Sequence, residues 1–318
     1  MIKIVVNVSG SAHRKRGGDD SKDSKRMENQ RGIIQEVADG SISVFFHNIL
    51  PLLQTGTVCI FKFESCGGKA MSLHEKVALV TGSGRGIGRA IAERYAARGA
   101  KVVINYASNS APAEEVVGKI VREGGNAVAI QADIARVDDI RRLFDKALDT
   151  YGRLDIVVAN AGIELVAQSV LDFTEADFDR LFAVNAKGAF FTLQQAARHI
   201  ADNGRIIYIG TSNTAFPLPG RALYGGSKIA AQFLVQVLAK EVGHRGVAVN
   251  SILPTAIEGA GVFTDGVRSE VREFVKSFRP MQRMGTVEDV ADAAEYLAGD
   301  LAGFVSGQHL MVSGGGPA

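Results

Sequence analysis

Val77-Ala78-Leu79-Val80-Thr81-Gly82-Ser83-Gly84-Arg85-Gly86-Ile87-Gly88 is the stretch on which the reading of this 318-residue chain turns. It opens with a short apolar run and passes through a glycine-rich turn. It then enters a segment, 87–98, where Ile91 and Tyr95 fall one helical turn apart. A strand, a tight turn and a helix in that order set the unbonded N–H groups of a helix N-terminus beside a backbone with few side chains. A phosphate can approach such a turn closely, and the positive end of the helix dipole favours it. Alone, a glycine-rich turn is a weak signal that most often marks a simple bend. Its weight comes from what surrounds it.

Downstream, apolar runs at 101–106, 127–133, 154–160, 205–210, 247–254 and 308–313 alternate with helical patterns at 112–123, 138–151, 224–244 and 287–298. The span 174–200 contains a further long helix. Val116, Val117, Ile120 and Val121 form one stripe, and the pattern at 138–151 stops before Gly152. Short apolar strands alternating with helices predict an α/β fold, with a parallel sheet covered on both faces. Right-handed crossovers make it a doubly wound sheet, the Rossmann fold. In that setting the turn after the first strand reads as a dinucleotide site. The segment 255–285 breaks the rhythm where a substrate-covering segment belongs. Its Phe263, Val267 and Phe274 say only that part of it is apolar.

Upstream, the pattern changes. Residues 9–31 are polar and of mixed charge with no period, and apolar fragments at 43–53 and 57–63 follow. Residues 1–70 are therefore read as an extension to a single domain at 71–318. Three accounts of it stand: a disordered or loosely packed segment, sequence upstream of the natural start, or a targeting segment. Asp19, Asp20 and Asp23 disfavour the last, because transit peptides are poor in acids. A net charge of +2 with both signs interspersed predicts neither a nucleic-acid nor an anionic-membrane partner. No run reaches the length of a membrane-spanning helix. The two cysteines, Cys59 and Cys66, form neither a disulfide framework nor a zinc site, so no metal and a reducing, cytoplasmic compartment are expected.

The strongest chemical signal is Tyr224-Gly225-Gly226-Ser227-Lys228 at the start of a predicted helix. Residues four apart share a helix face. A phenol with an ordinary pKa of about 10 gives up its proton reluctantly at neutral pH. An ammonium one turn away stabilises the phenolate and brings the group into use as a proton donor and acceptor. By itself, Tyr-x-x-x-Lys is common and usually structural. Here it follows a Gly82-x-x-x-Gly86-x-Gly88 loop and stands 64 residues after Asn160-Ala161-Gly162.

That combination resembles the short-chain dehydrogenase/reductase family over about residues 74–316, and the closing Gly307-Gln308-His309-Leu310 and Gly314-Gly315 resemble the family's last strand. Met71-Ser72-Leu73-His74-Glu75-Lys76 resembles a natural beginning for it. The resemblance implies a cofactor site of Gly82, Ser83, Arg85, Gly86, Ile87 and Gly88 in the loop, and Asn105, Tyr106, Ala107 and Ser108 after the second strand. It adds Asp133 and Ile134 after the third, Asn160, Ala161 and Gly162 after the fourth, Pro254 and Ile257 after the sixth, and Tyr224 and Lys228 themselves. An acid at the end of the second strand would grip the ribose of NAD. Asn105 stands there instead, and Arg85 can pair with a phosphate, which favours NADPH. The bland reading of Arg85 is a solvated charge.

The resemblance further implies reduction of a ketone, or the reverse reaction, by hydride transfer from the nicotinamide. Tyr224 supplies the proton, Lys228 lowers the tyrosine pKa and holds the nicotinamide ribose, and Asn185 holds a water that links the lysine to solvent. A hydroxyl hydrogen-bonds the carbonyl oxygen. Spacing, 13 residues before the tyrosine, selects Thr211, whereas the Ser-Asn-Thr run selects Ser212. The 3-oxoacyl carrier-protein reductases and hydroxynaphthalene reductases are the members it most resembles, and a homotetramer acting on a small carbonyl or alcohol is implied. An NAD-dependent alcohol or sugar dehydrogenase and a non-catalytic NADP(H) sensor are the alternatives. One departure stands out: Pro254-Thr255-Ala256-Ile257-Glu258-Gly259 replaces the family's Pro-Gly and the Thr five residues past the Pro.

Overall fold

The structure, a computed structural model, describes residues 72–316 and two short strands nearer the N-terminus, β1 (Ile33–Glu36) and β2 (Ile42–Phe45). These two pair antiparallel, with Ile33 opposite Phe45, a pairing the sequence had not suggested. The other expectations for residues 1–70 lie outside the described residues. The chain divides into two units, Met1–Ala70 and Met71–Ala318.

In the second unit, β3 (Val77–Val80) is buried along its whole length. Val77 and Leu79 enter one apolar cluster and Ala78 and Val80 another, because successive side chains point to opposite faces of a strand. A strand covered on both sides must be apolar throughout, and that is how this run reads. After β3 come α1 (Gly86–Ala97), β4 (Lys101–Tyr106), α2 (Ala111–Arg122), β5 (Asn126–Gln131), α3 (Val137–Tyr151) and β6 (Ile156–Ala159). Next are α4 (Glu175–Phe182), a π turn over Ala183–Gly188, α5 (Ala189–His199), β7 (Arg205–Ile209), α6 (Ala222–Glu241) and β8 (Ala248–Pro254). The chain closes with β9 (Ile257–Glu258), α7 (Ser269–Phe278), β10 (Gly285–Thr286), α8 (Val287–Ala298) and β11 (His309–Val312).

Seven strands form one parallel sheet in the order β11-β8-β7-β6-β3-β4-β5. One apolar cluster joins it to Ile91 and Tyr95 of α1, Val116 and Ile120 of α2, and Val290 and Leu297 of α8. On the other face, Leu143 and Phe144 of α3, Leu193 of α5 and Val235 of α6 pack together. The fold is the doubly wound Rossmann sheet. Chain order reverses between β3 and β6, so the loops after these two strands open the crevice where such sheets bind their ligands.

Local chemistry sets several boundaries. Thr174 and Thr286 each close a capping box, with Asp177 and Asp289, at the starts of α4 and α8. Gly152, at φ +76°, ends α3 in the left-handed conformation. The segment 255–285, where the sequence showed only a break in rhythm, holds α7 and a small parallel pair, Ile257 opposite Gly285 and Glu258 opposite Thr286. None of the helices among the described residues is long and apolar enough to cross a membrane.

Candidate active site

The glycine loop is pinned from three sides. The Asn160 side chain donates to the carbonyls of Thr81 (2.9 Å) and Gly82 (3.1 Å). Thr81 Oγ1 accepts from the backbones of Asn160 and Ala161, both at 3.0 Å. Asn105 Oδ1 accepts from Gly82 N–H (3.0 Å), while Ser83 Oγ donates to Val80 O (2.7 Å) and accepts from Asn105 N–H (3.1 Å). Gly82 sits at φ +62°, where a Cβ would lie 3.0 Å from Ala161 Cα, and at Gly88 a Cβ would lie 2.5 Å from Asn160 Nδ2. The two glycines are therefore needed for the turn and for strand–helix approach. No side chain caps α1, so its first-turn N–H groups face the crevice without a side-chain acceptor. This arrangement fits a bound pyrophosphate.

The other expected cofactor residues lie along the same edge. Gly86 has φ +58° and Ile87 follows it in the first turn of α1. Arg85 is exposed and in no ion pair among the described residues. Tyr106 is half-buried, and Ala107 and Ser108 are exposed. Asp133 accepts from Ala135 N–H (2.9 Å), and Ile134 is buried. Asn105 differs from expectation in orientation: it is 1% exposed, with its amide donating to Ile130 O (3.3 Å) and Ala132 O (3.1 Å).

A second cluster stands beside the loop. Lys228, one turn after Tyr224 on α6, is buried and donates to Ile209 O (3.1 Å). Its Nζ sits 5.4 Å over the Tyr208 ring. A Cβ on Gly162 would lie 2.7 Å from that Nζ, so the glycine after Asn160-Ala161 makes room for the lysine. Burial pulls Lys228 down to about 8, against the Glu164 carboxylate, which holds it up. Tyr224 moves the other way. Burial raises its pKa, Glu164 adds to the rise, and a hydrogen bond with Thr211 and the charge of Arg221 pull it back. The Thr211 hydroxyl, at the end of β7, also accepts from Asn213 N (3.3 Å) and Nδ2 (3.2 Å). Ser212 is buried and begins the 3₁₀ turn that follows.

Asn185 occupies the π turn and is wholly buried. It accepts from Ile163 N–H (2.9 Å) and donates to Ile163 O (2.9 Å) and to Ser227 Oγ (3.0 Å). It thus ties the loop after β6 to α6, directly behind Lys228. Pro254 ends β8, and Ile257, 3% exposed, begins β9. Thr255, which stands where the family has glycine, accepts a hydrogen bond on its hydroxyl oxygen from the buried guanidinium of Arg279. The same guanidinium donates to Ala256 O (3.3 Å). The sequence reading missed Arg279, Arg221, Tyr208 and Glu164. Only Glu164 carried a usable signal, an acid immediately after Asn160-Ala161-Gly162-Ile163.

A glycine loop at the switch point and a Tyr–Lys pair beside it define a dinucleotide-dependent oxidoreductase. The chain belongs to the short-chain dehydrogenase/reductase family. Residues 82–316 match the family model described as enoyl-(acyl carrier protein) reductase. A versicolorin reductase of Emericella nidulans is 42% identical over 258 residues, covering 76% of this chain and 96% of the relative. A hydroxynaphthalene reductase-like protein of Metarhizium acridum is 38% identical over 256 residues, 77% of this chain and 96% of the relative. Among solved structures, a Burkholderia cenocepacia short-chain dehydrogenase in complex with NADP superposes with a TM-score of 0.71 at 37% identity, covering 77% of this chain and 99% of that one. The chain is an oxidoreductase acting on carbonyl or hydroxyl groups.

Proposed function

We propose that this enzyme uses NADPH to reduce a ketone to a secondary alcohol, or catalyses the reverse. The observation that carries the reading is the convergence of Tyr224, Lys228 and Thr211 beside the pinned glycine loop. The first-turn amides of α1 hold the pyrophosphate, and Arg85 with the exposed Ala107–Ser108 edge takes the 2′-phosphate. When bound, the cofactor supplies or accepts the hydride.

The remaining work falls to the protein. Thr211 donates a hydrogen bond to the carbonyl oxygen and orients it. The Tyr224 hydroxyl delivers the proton to that oxygen. The Lys228 ammonium stabilises the phenolate left behind, and Asn185 keeps the loop and helix that carry Lys228 in register. The relatives' names direct the choice of substrate toward ketones of hydroxylated aromatic rings. A cytoplasmic homo-oligomer, with residues 71–318 as its catalytic domain, completes the proposal.

The test is NADPH oxidation monitored with a panel of aryl and aliphatic ketones, the wild type beside Tyr224→Phe. The variant removes one hydroxyl and keeps the ring. It is expected to bind NADPH within about threefold of wild type and to lose at least about a hundredfold in kcat, the scale of a lost general acid. Activity within tenfold of wild type would sink the assignment.

A further inference from the structure

Glu164 is a carboxylate in the cleft that the reaction above does not use. It follows Ile163, whose N–H and C=O are both clamped by Asn185, so it projects from a fixed base. Oε1 accepts from Arg221 Nη1 (3.1 Å), and Oε2 accepts from the backbone N–H of Val262 (3.0 Å). Its side chain is 20% exposed. Gly261, at φ +57°, lies against the same carboxylate, and a Cβ there would collide with Oε2. Both ends of the contact matter. Arg221 is the residue before α6, three positions ahead of Tyr224. Gly261 and Val262 open the 3₁₀ turn Gly261–Phe263, in the segment after β9. One carboxylate thus joins the base of the crevice, the first turn of the catalytic helix and the strap that follows β9.

We propose that Glu164 is a positioning residue that holds the strap at 259–264 down beside Tyr224 and so sets the opening through which the carbonyl substrate is bound. Two features make the tie specific. The amide of Val262 points at a charged acceptor, and hydrogen bonds to charged groups are the stronger kind. The absence of a side chain at Gly261 lets the strap approach closely enough to make it. The strap also lies against the glycine loop, since a Cβ on Gly86 would stand 3.4 Å from Gly259 O and 3.6 Å from Ala260 Cα. The tie itself is made further along, at Gly261 and Val262, and is assigned to substrate on that ground. The assignment of substrate binding rests on the ketone-reductase reading; the tie itself does not.

The test compares wild type, Glu164→Ala and Glu164→Gln in the full chain. Amide hydrogen exchange over 259–266 reads the tie directly. Exchange in Glu164→Ala is expected to rise about tenfold or more, the worth of one charge-assisted hydrogen bond. Glu164→Gln keeps a carbonyl oxygen for Val262 N–H and is expected to stay within about threefold of wild type. With an accepted ketone at about pH 6, well below the Lys228 pKa of about 8 so that the ammonium survives loss of the carboxylate that supports it, Glu164→Ala should raise KM about tenfold while kcat moves less than about threefold, and Glu164→Gln should restore KM. NADPH affinity should be unchanged in both variants. Unaltered exchange in Glu164→Ala, a fall in kcat with KM unmoved, or loss of NADPH binding would each overturn the proposal. A wild-type enzyme inactive on every ketone would defeat the reductase reading instead, and the exchange measurement would still decide the tie.

Discussion

The Asn105 side chain turns inward, accepting from Gly82 N–H and donating to three carbonyls, Tyr106 O, Ile130 O and Ala132 O. The sequence placed the cofactor-selecting position here, because an acid in this region would favour NAD. Strand alternation argues for proposing the next residue instead: Asn105 faces the interior, and Tyr106, half-buried, is the side chain at the C-terminal end of β4 that reaches the edge. Asn105→Asp would set a carboxylate against those carbonyls and forfeit the donated bonds. It is expected to destabilise the fold by about 2–4 kcal/mol with no gain in NADH use. Tyr106→Asp is expected to leave stability largely intact and to shift the ratio of kcat/KM values toward NADH by about tenfold or more. Urea unfolding and initial rates with both cofactors check the pair; a stable, NADH-preferring Asn105→Asp would reverse the assignment. Lys228 gives a pH prediction. Its pKa in the fold is about 8, below the 10.5 of a free lysine, so the ammonium is lost as pH rises through 8. The kcat/KM for reduction reports the free enzyme and should fall with an apparent pKa near 8. Stability moves oppositely. Between about 8 and 10.5 the unfolded chain binds more protons at this group than the fold does, so its contribution to stability rises with pH there. A rate profile flat to pH 10 would exclude dependence on the ammonium.

Which hydroxyl orients the substrate depends on how β7 hands over to the turn behind it. Thr211 leaves the strand in an extended conformation and lies close enough to Tyr224 to pull its pKa back down, whereas Ser212 begins the 3₁₀ turn. Thr211→Val is therefore expected to lose about a hundredfold in kcat, the scale of a removed oxyanion donor, and Ser212→Ala to be mild. The reverse order in steady-state rates would transfer the role to Ser212. Elements whose pattern is local were legible in this way: β4 and α8 run over the spans their apolar residues predicted, and most other ends moved by one to three residues. α7 was legible and was passed over. Val271, Phe274, Val275 and Phe278 recur with helical spacing, and Pro280 follows the last of them. The π turn was not legible. Its extra residue answers to a tertiary contact, Gly188 lying so close to Ile134 O that a Cβ would strike it. That turn aims Asn185 at Ile163 and Ser227, and no periodicity in the span 174–200 encodes it. The site divides along the same line. The glycine loop and Tyr224-x-x-x-Lys228 are motifs, while Glu164 and Arg221 meet only after the sheet has been wound.

At the scale of the molecule, the first described residues of the catalytic unit are tied into its core. Leu73 is 2% exposed in the core, and its N–H donates to Arg98 O (2.9 Å). Lys76 receives Lys101 N–H on its carbonyl (2.9 Å), in line with the pairing of β3 and β4. The family match begins at Gly82 and the pattern that resembles the family at about residue 74, so a chain beginning at Met71 is expected to be soluble and active. The opposite side of the unit is less self-sufficient. Ile229 is 51% and Phe233 67% exposed, and they stand four apart on α6, on one face of the helix. α4 and α5 pack against α6, and they bring Phe178 at 47% and Phe190 at 40% exposure. Scattered apolar side chains are ordinary on a protein surface, but large ones on three adjoining helices make this side the candidate association surface. We propose a second copy as the partner, because two-fold pairing sets the same helix face against itself and would cover Ile229 and Phe233 together. The Met71–Ala318 chain is therefore expected to sediment as a homo-oligomer. In Ile229→Glu/Phe233→Glu, two like charges would meet two more across the axis, and the mass should fall by at least half while the folded circular-dichroism spectrum is kept. A monomeric parent, or a double variant of unchanged mass, would place the contact between copies elsewhere on the molecule.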